Sequence, residues 1–352
     1  MKRLSWIDIS RAMGMFLIIM AHSITSNSGW SQYLSCWAFA VNVPIFFVLS
    51  GYLYRDKPFF KILKGGFVNL LCPYIFTALI MILLSLLRSW NDFQYLNLFA
   101  GGPKEAIKAA LYGSGTSLLK PFQIPAIGAI WFLLAMFIGN QLYALIMKLK
   151  VNDAIKTCMC VLFTVIGFEI AKFILLPWSF NAALVSLIFY HTGYLIRKYN
   201  LIEKPPRHCG LLVLAVWIID AAIGPFYMNI AYAANPLMAV LGGISGSYTL
   251  MLSAKWVSTK SFWGLSGIEK YGELSLIALA IHIIELNCLA DFDVISKILG
   301  NVRPSIFTLI LIVERVLVSV GGTVIVPKIP ILRGFYMYRQ YPLIETVYRR
   351  KR

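Results

Sequence analysis

Residues 6–23, WIDISRAMGMFLIIMAHS, decide how the chain is read. A short polar lead-in runs into an apolar stretch, with Arg11 near its start and His22 near its end. Eleven residues separate the two. At ~100° per residue they return to within ~20° of one helix face. At 1.5 Å rise, His22 sits about 16 Å beyond Arg11 along the axis. The two side chains therefore share a stripe without touching. The first apolar span, taken as residues 11–29, puts Arg11 at the membrane surface and His22 near mid-bilayer. An ionisable side chain at that depth is costly and marks a functional site by default.

The rest of the chain agrees with a membrane setting. Of 352 residues, 59% are hydrophobic and 13% charged, and mean hydropathy is +0.75. Soluble domains carry about 25% charged residues. The net charge of +17 does not indicate nucleic acid, because the basic residues fall in short loops between apolar runs. The six cysteines are scattered, so no disulfide framework or metal site is expected. Asp8 and Arg11 interrupt what would otherwise resemble a secretory leader. Apolar windows predict ten spanning helices, at 11–29, 36–54, 67–87, 129–148, 156–176, 181–197, 209–224, 235–254, 273–290 and 304–326. The expected fold is an all-α polytopic helical bundle, one domain over 1–327, with a basic cytoplasmic tail at 328–352.

Loop charge sets the orientation. With the N-terminus inside, 24 Lys and Arg fall in inner segments around 1–11, 55–64, 148–156, 197–207, 255–270 and 328–352. Six fall outside: Arg88, Lys104, Lys108, Lys120, Lys297 and Arg303. That bias predicts both termini in the cytoplasm. The outer segment 88–128 is long, with turn residues and a short helix expected near 104–112. It is either a binding element or an ordinary surface loop. Gly242 to Gly246 has the small-xxx-small spacing of close helix packing. The aromatic, basic tail is suited to anionic head groups.

The ionisable residues inside spans are His22, Glu169, Lys172, His191, Asp220, His282, Glu285, Glu314 and Arg315. His282 and His22 are expected at similar depth. Glu285, three residues after His282, shares its face and can fix the tautomer of the ring. Glu169 and Lys172 are spaced to pair. Glu314 and Arg315 are neighbours that point apart, so each needs another partner.

Arg11, ten intervening residues and His22, with Trp6-Ile7-Asp8-Ile9 before and Ser23 after, resemble the first-helix motif of the membrane-bound acyltransferase-3 family. Residues 43–52, VPIFFVLSGY, are similar to its second hallmark. Trp131-Phe132-Leu133 resembles its Trp-Phe-Leu motif. Gly272-x-x-Ser275, followed by His282, resembles its Gly-x-x-Ser…His signature. Two positions depart from the pattern. Asn69-Leu70-Leu71-Cys72-Pro73 lacks the usual arginine, a contact that Lys61 or Lys64 would have to replace. Leu279 stands where an aromatic is common.

The resemblance implies acyl transfer, usually of acetyl from cytoplasmic acetyl-CoA as donor substrate, with no bound cofactor. The acceptor implied is a hydroxyl of a cell-surface glycan or a lipid-linked sugar, at the bacterial cytoplasmic (inner) membrane. Overall length is most similar to the fucose 4-O-acetylase and exopolysaccharide O-acetyltransferase branch. His22 and Arg11 are the implied catalytic pair. Arg11 suits the donor phosphates through its planar fork. His22 is either a general base toward the hydroxyl or an acyl carrier. His282 and Glu285 support it. Asp8, Ser50, Tyr52, Arg55, Lys61, Lys64, Trp131 and Ser275 are candidates for donor or acceptor binding. For Trp131 the competing reading is an interfacial anchor, and for Ser50 it is helix packing. The rival class is a multipass transporter or flippase of a glycan precursor. It calls for paired, Gly- or Pro-broken helices in two similar halves, which this sequence lacks.

Reporter fusions after residues 64, 120, 202 and 352 test the orientation. Residue 120 is expected outside and the other three inside; an outside C-terminus refutes the scheme.

Overall fold

The computed structural model describes residues 4–26, 29–86, 102–118, 123–300, 302–338 and 340–341. Arg88, Lys120, Arg339 and the distal tail from residue 342 lie outside the described residues. The fold is helical, with one short ribbon pairing Phe226–Tyr227 to Tyr232–Ala233.

The helices are α1 (Ser5–Ser23), α2 (Gly29–Phe39), α3 (Pro44–Tyr52), α4 (Phe59–Gly66), α5 (Cys72–Leu86), α6 (Gly102–Tyr112), α7 (Trp131–Lys148) and α8 (Asp153–Ala171). There follow α9 (Phe180–Lys198), α10 (Cys209–Ile223), α11 (Pro236–Val257), α12 (Leu265–Glu273), α13 (Ser275–Cys288), α14 (Asp291–Leu299), α15 (Pro304–Ile325) and α16 (Pro330–Tyr336). Their starts follow the sequence. Asn152 and Asn235 cap α8 and α11 by accepting from the N–H of Ile155 and Met238, the role short polar side chains fill at helix starts. Pro44, Pro236 and Pro304 open α3, α11 and α15, where a missing N–H costs nothing.

By length and composition, seven helical stretches can cross a membrane: Gly29–Tyr52, Phe59–Leu86, Trp131–Lys148, Asp153–Ala171, Pro177–Lys198, Pro236–Val257 and Pro304–Lys328. An eighth is the pair α12–α13, bent by 74°. The protein is thus an all-α polytopic membrane protein. α1, with Asp8 and Arg11, and the 15-residue α10 occupy the other two positions expected from the sequence.

Several segments differ from the expected spans. α1 begins at Ser5, not Arg11, so His22 lies in its last turn and not at its middle. The reason is that Asp8 is buried and paired with Arg11 (3.2 Å), so the charges sit inside the helix. The second span breaks at residues 40–43, ahead of Pro44. The third carries a π turn over Phe67–Leu71, just before Pro73, which lacks an N–H. The ninth begins at the α12–α13 bend. The start of the tail folds as α16, where Phe335 stacks on Phe76 of α5 at 4.0 Å and Tyr336 meets Thr77 at 2.8 Å.

α1 lies inside the bundle, against α2, α3, α11, α12, α13 and α15. Its approach to α12 is very close: a Cβ at Gly272 would stand 1.7 Å from the Asp8 carbonyl oxygen. Ser5 and Glu269 hydrogen-bond across the same contact. α3 and α9 are equally close. A Cβ at Gly51 would meet the Tyr190 carbonyl at 1.8 Å, and one at Gly193 the Val48 carbonyl at 1.9 Å. Small residues at such crossings are how membrane helices gain van der Waals contact. Residues 242–246 do the same against α10, where Gly242 faces Asp220 and Gly246 faces Trp217.

Gly193→Ala is therefore expected to destabilise the purified protein by roughly 1–3 kcal/mol through overpacking. Gly65→Ala, with nothing within 4 Å of the added Cβ, should be neutral or gain ~0.5–1 kcal/mol. Melting of the two variants in detergent compares them; equal melting refutes the backbone-contact account.

Candidate active site

Gly272 packs on Asp8 and Ala12. Ten residues beyond Ala12 is His22, and ten beyond Gly272 is His282. α1 and α13 run side by side from that contact, and the two imidazoles meet with centroids 5.7 Å apart and planes at 61°.

Each ring is tied to its own helix through Nδ1. His22 Nδ1 lies 2.8 Å from the Ile18 carbonyl oxygen, four residues back. A carbonyl only accepts, so Nδ1 carries the hydrogen and Nε2 of the neutral ring is the basic nitrogen. His282 Nδ1 faces Glu285 Oε2 at 3.3 Å. That ring is fully buried, and its Nε2 has no hydrogen-bond partner among the described residues.

His22 faces a cavity of about 430 Å³, within the ~300–1,000 Å³ typical of small-ligand sites. Phe39, Trp131, Phe132 and Tyr227 supply aromatic walls. Asn42, Asn229 and Asn287 supply amides. Gly115, Thr116, Gly128 and Ala129, from the long segment before α7, contribute to the lining. No Asp, Glu, Lys or Arg lines it among the described residues. Aromatic faces, amides and one imidazole can hold an uncharged polyol and take a proton from it.

The last turn of α1 is held by a residue that sequence reasoning left without a partner. Arg315 of α15 donates from Nη1 to the His22 carbonyl oxygen (2.8 Å) and to Ser23 Oγ (3.4 Å). It also donates from Nε and Nη2 to Asp291 Oδ2, at 2.9 and 2.7 Å. Glu285, Asp291 and Glu314 bring carboxylate oxygens within 4.8 Å of one another. Three acids of this kind could offer ligands to a cation, but Asp291 already accepts two N–H groups from the guanidinium, which supplies the positive charge there.

Of the other candidates, Trp131 alone joins the His22 cavity among the described residues. Trp131 is buried at the start of α7 and lines the His22 cavity, so it is not an exposed interfacial anchor. Arg11 pairs with Asp8 and does not line that cavity. Between Arg11 and His22, Met15 and Ile18 fill the shared stripe, 1% and 3% exposed. Tyr52 packs edge-on to Trp6 at 5.1 Å. Ser50 Oγ points at Met136 Sδ (3.9 Å). Arg55, Lys61 and Lys64 are exposed. Ser275 opens α13 at the bend, about 10 Å below His282 by helical rise. Asn69, on the π turn, lines a separate small cavity with Glu273 and Tyr338. Glu169 and Lys172 do pair (2.6 Å), but as an exposed contact at the end of α8. Sequence reasoning missed Asn42, Asn229, Asn287 and Asp291. They lie on turns, on the ribbon or near helix ends, and no spacing links them to His22.

Residues 4–325 match an acyltransferase domain. The chain belongs to the acyltransferase-3 family. No curated protein and no solved structure matches the chain. Membership makes the protein a membrane acyltransferase, and Arg11 and His22, the pair that resembles the family's first-helix motif, fall on one helix.

Arg315→Lys tests the clamp. Lysine keeps the charge but loses the planar fork, whose three nitrogens reach Asp291 and the His22 carbonyl together. With His22 as the expected catalytic base, the expected result is a fall of roughly 10–100-fold in kcat from its misplacement, with donor KM unchanged and the folded yield retained. Wild-type kcat, or a loss that follows folded yield alone, would show that Arg315 does not position His22.

Proposed function

We propose that the protein is an O-acetyltransferase, moving acetyl from cytoplasmic acetyl-CoA to a sugar hydroxyl on a cell-surface glycan or a lipid-linked precursor. The branch it resembles is that of fucose 4-O-acetylases and exopolysaccharide O-acetyltransferases. The setting proposed is the bacterial cytoplasmic membrane, with ten crossings, both termini inside and the basic tail on the inner face. The observation that carries the reading is the basic Nε2 of His22 at a charge-free cavity walled by aromatic and amide side chains. A hydroxyl is a poor nucleophile and needs a base. An uncharged cavity suits a sugar better than a phosphate or a carboxylate.

In direct transfer, His22 Nε2 takes the hydroxyl proton while the oxygen attacks the acetyl carbonyl. The carbon–sulfur bond then breaks, and the CoA thiolate leaves and takes up a proton. His282, held by Glu285, stands beside the ring that becomes cationic. In the two-step route, His22 carries the acetyl as an acyl-imidazole, which predicts ping-pong kinetics. Arg11 serves the donor end, its fork offered to phosphate oxygens at the inner face. Asp8 holds it from one side.

Membranes supplied with acetyl-labelled acetyl-CoA provide the test, with mass spectrometry of surface glycans from cells with and without the gene. Label should enter glycan. His22→Ala should lower transfer by ~10²–10⁴ while the protein accumulates normally, and Arg11→Lys should lose far more than a conserved charge suggests. Near-normal turnover in His22→Ala would move the centre to His282 and Glu285. Absence of label in any glycan, with a precursor accumulating on the inner face of cells lacking the gene, would favour a flippase.

A further inference from the structure

A second and larger cavity, about 1200 Å³, runs along the other side of α1. Its floor is Ile9, Ala12, Met13, Phe16, Leu17 and Met20. At ~100° per residue this stripe points away from the Arg11–His22 stripe by roughly half a turn. The walls are α11, through Leu250 and Val257, and α15, through Val316, Val320 and Val324. The lining is apolar along its length and carries cations at one end alone: Lys270 of α12 and Lys328 just past α15. Around that end, Trp256, Phe262 and Trp263 are exposed, Trp263 at 99%. Exposed aromatics beside lysines mark the head-group level of a membrane.

We propose that this groove is a binding site for an anionic phospholipid of the cytoplasmic leaflet, one acyl chain lying on α1 and the phosphate held between Lys270 and Lys328. Three observations support that occupant. The groove follows α1 from Ile9 to Met20, about 16 Å by helical rise, which matches the ~15 Å depth of one leaflet's hydrocarbon. A longer isoprenoid chain would not be contained. The polar end carries two positive side chains. Lys270 is engaged in an exposed pair with Glu273 (2.9 Å), which is worth little and yields readily to a phosphate. The cavity is also separated from His22 by α1 itself, so the occupant is neither donor nor acceptor. The site stands apart from the proposed chemistry, and its test does not depend on it.

The full-length protein, reconstituted in nanodiscs of mixed phosphatidylglycerol and phosphatidylethanolamine, is released for native mass spectrometry. Wild type should retain phosphatidylglycerol in preference to phosphatidylethanolamine. K270Q/K328Q should lower that retention about tenfold or more, from the loss of two lysine–anion contacts. In parallel, phosphatidylglycerol with a diazirine in its acyl chain is photolysed on wild-type protein, which keeps the test independent of the variant's folding. Labelling should concentrate on peptides covering residues 9–20 and 316–324. Equal retention of the two lipids overturns the proposal, as does wild-type retention by the folded double variant. So does labelling spread evenly over all membrane-facing helices, or displacement of phosphatidylglycerol by a polyprenyl phosphate.

Discussion

The cavity depends on how the last turn of α1 is held. A helix that ends within a membrane protein leaves carbonyl oxygens without intrahelical donors, and no water in hydrocarbon can satisfy them. Here the His22 carbonyl is one of them, and Arg315 supplies its donor at 2.8 Å. Arg315 is itself buried, 3% exposed, and is balanced by Asp291. Breaking a buried pair of this kind typically costs about 3–5 kcal/mol, because it strands a charge. A neutral interhelical hydrogen bond in a membrane protein is worth about 0.6 kcal/mol on average. The charged pair therefore dominates. It fixes α1, α14 and α15 to one another at the residue whose side chain faces the cavity.

The same end of α1 is fixed from its own side. The Ile18 carbonyl orients the His22 ring, and α13 brings His282 beside it. The bend of 74° at residue 274 makes that meeting possible. α12 accompanies the first half of α1 at backbone contact, and α13 then starts alongside the second half. His282 is in the middle of a 14-residue helix and His22 near the end of a 19-residue one, yet their rings reach the same level.

Much of this is legible in the amino-acid sequence. The apolar segments follow from composition, the shared stripe of Arg11 and His22 from helical period, and the His282–Glu285 contact from a spacing of three. The start of α1 was not legible. Hydropathy ends a span at a charge, whereas Asp8 and Arg11 satisfy each other inside the helix under the cover of α12. The break ahead of Pro44 was also missed, since an apolar window runs through it, and α12, just ahead of the ninth span, was not expected. The walls of the cavity were harder still. Asn42, Thr116, Tyr227 and Asn287 come from four separate parts of the chain, and nothing periodic joins them. Arg315 gave half a signal: a buried arginine must have an acid, but sequence does not say which.

The stripe between Arg11 and His22 also separates two physical problems. Under the proposed reading, the transfer step needs a base, an orienting contact and an uncharged cavity, and the His22 end of α1 offers all three. Delivery of the acetyl group from the inner face, as proposed, is a different matter, because Met15 and Ile18 are buried between Arg11 and His22 on that stripe. A thioester arm that followed this stripe would have to displace them. Methionine suits such a passage: it is unbranched, has three rotatable bonds and repacks at low cost. Ile18 is β-branched and stiff, and its carbonyl holds the His22 ring. A path that shifts Met15 while leaving the Ile18 backbone in place would open the way without releasing the base.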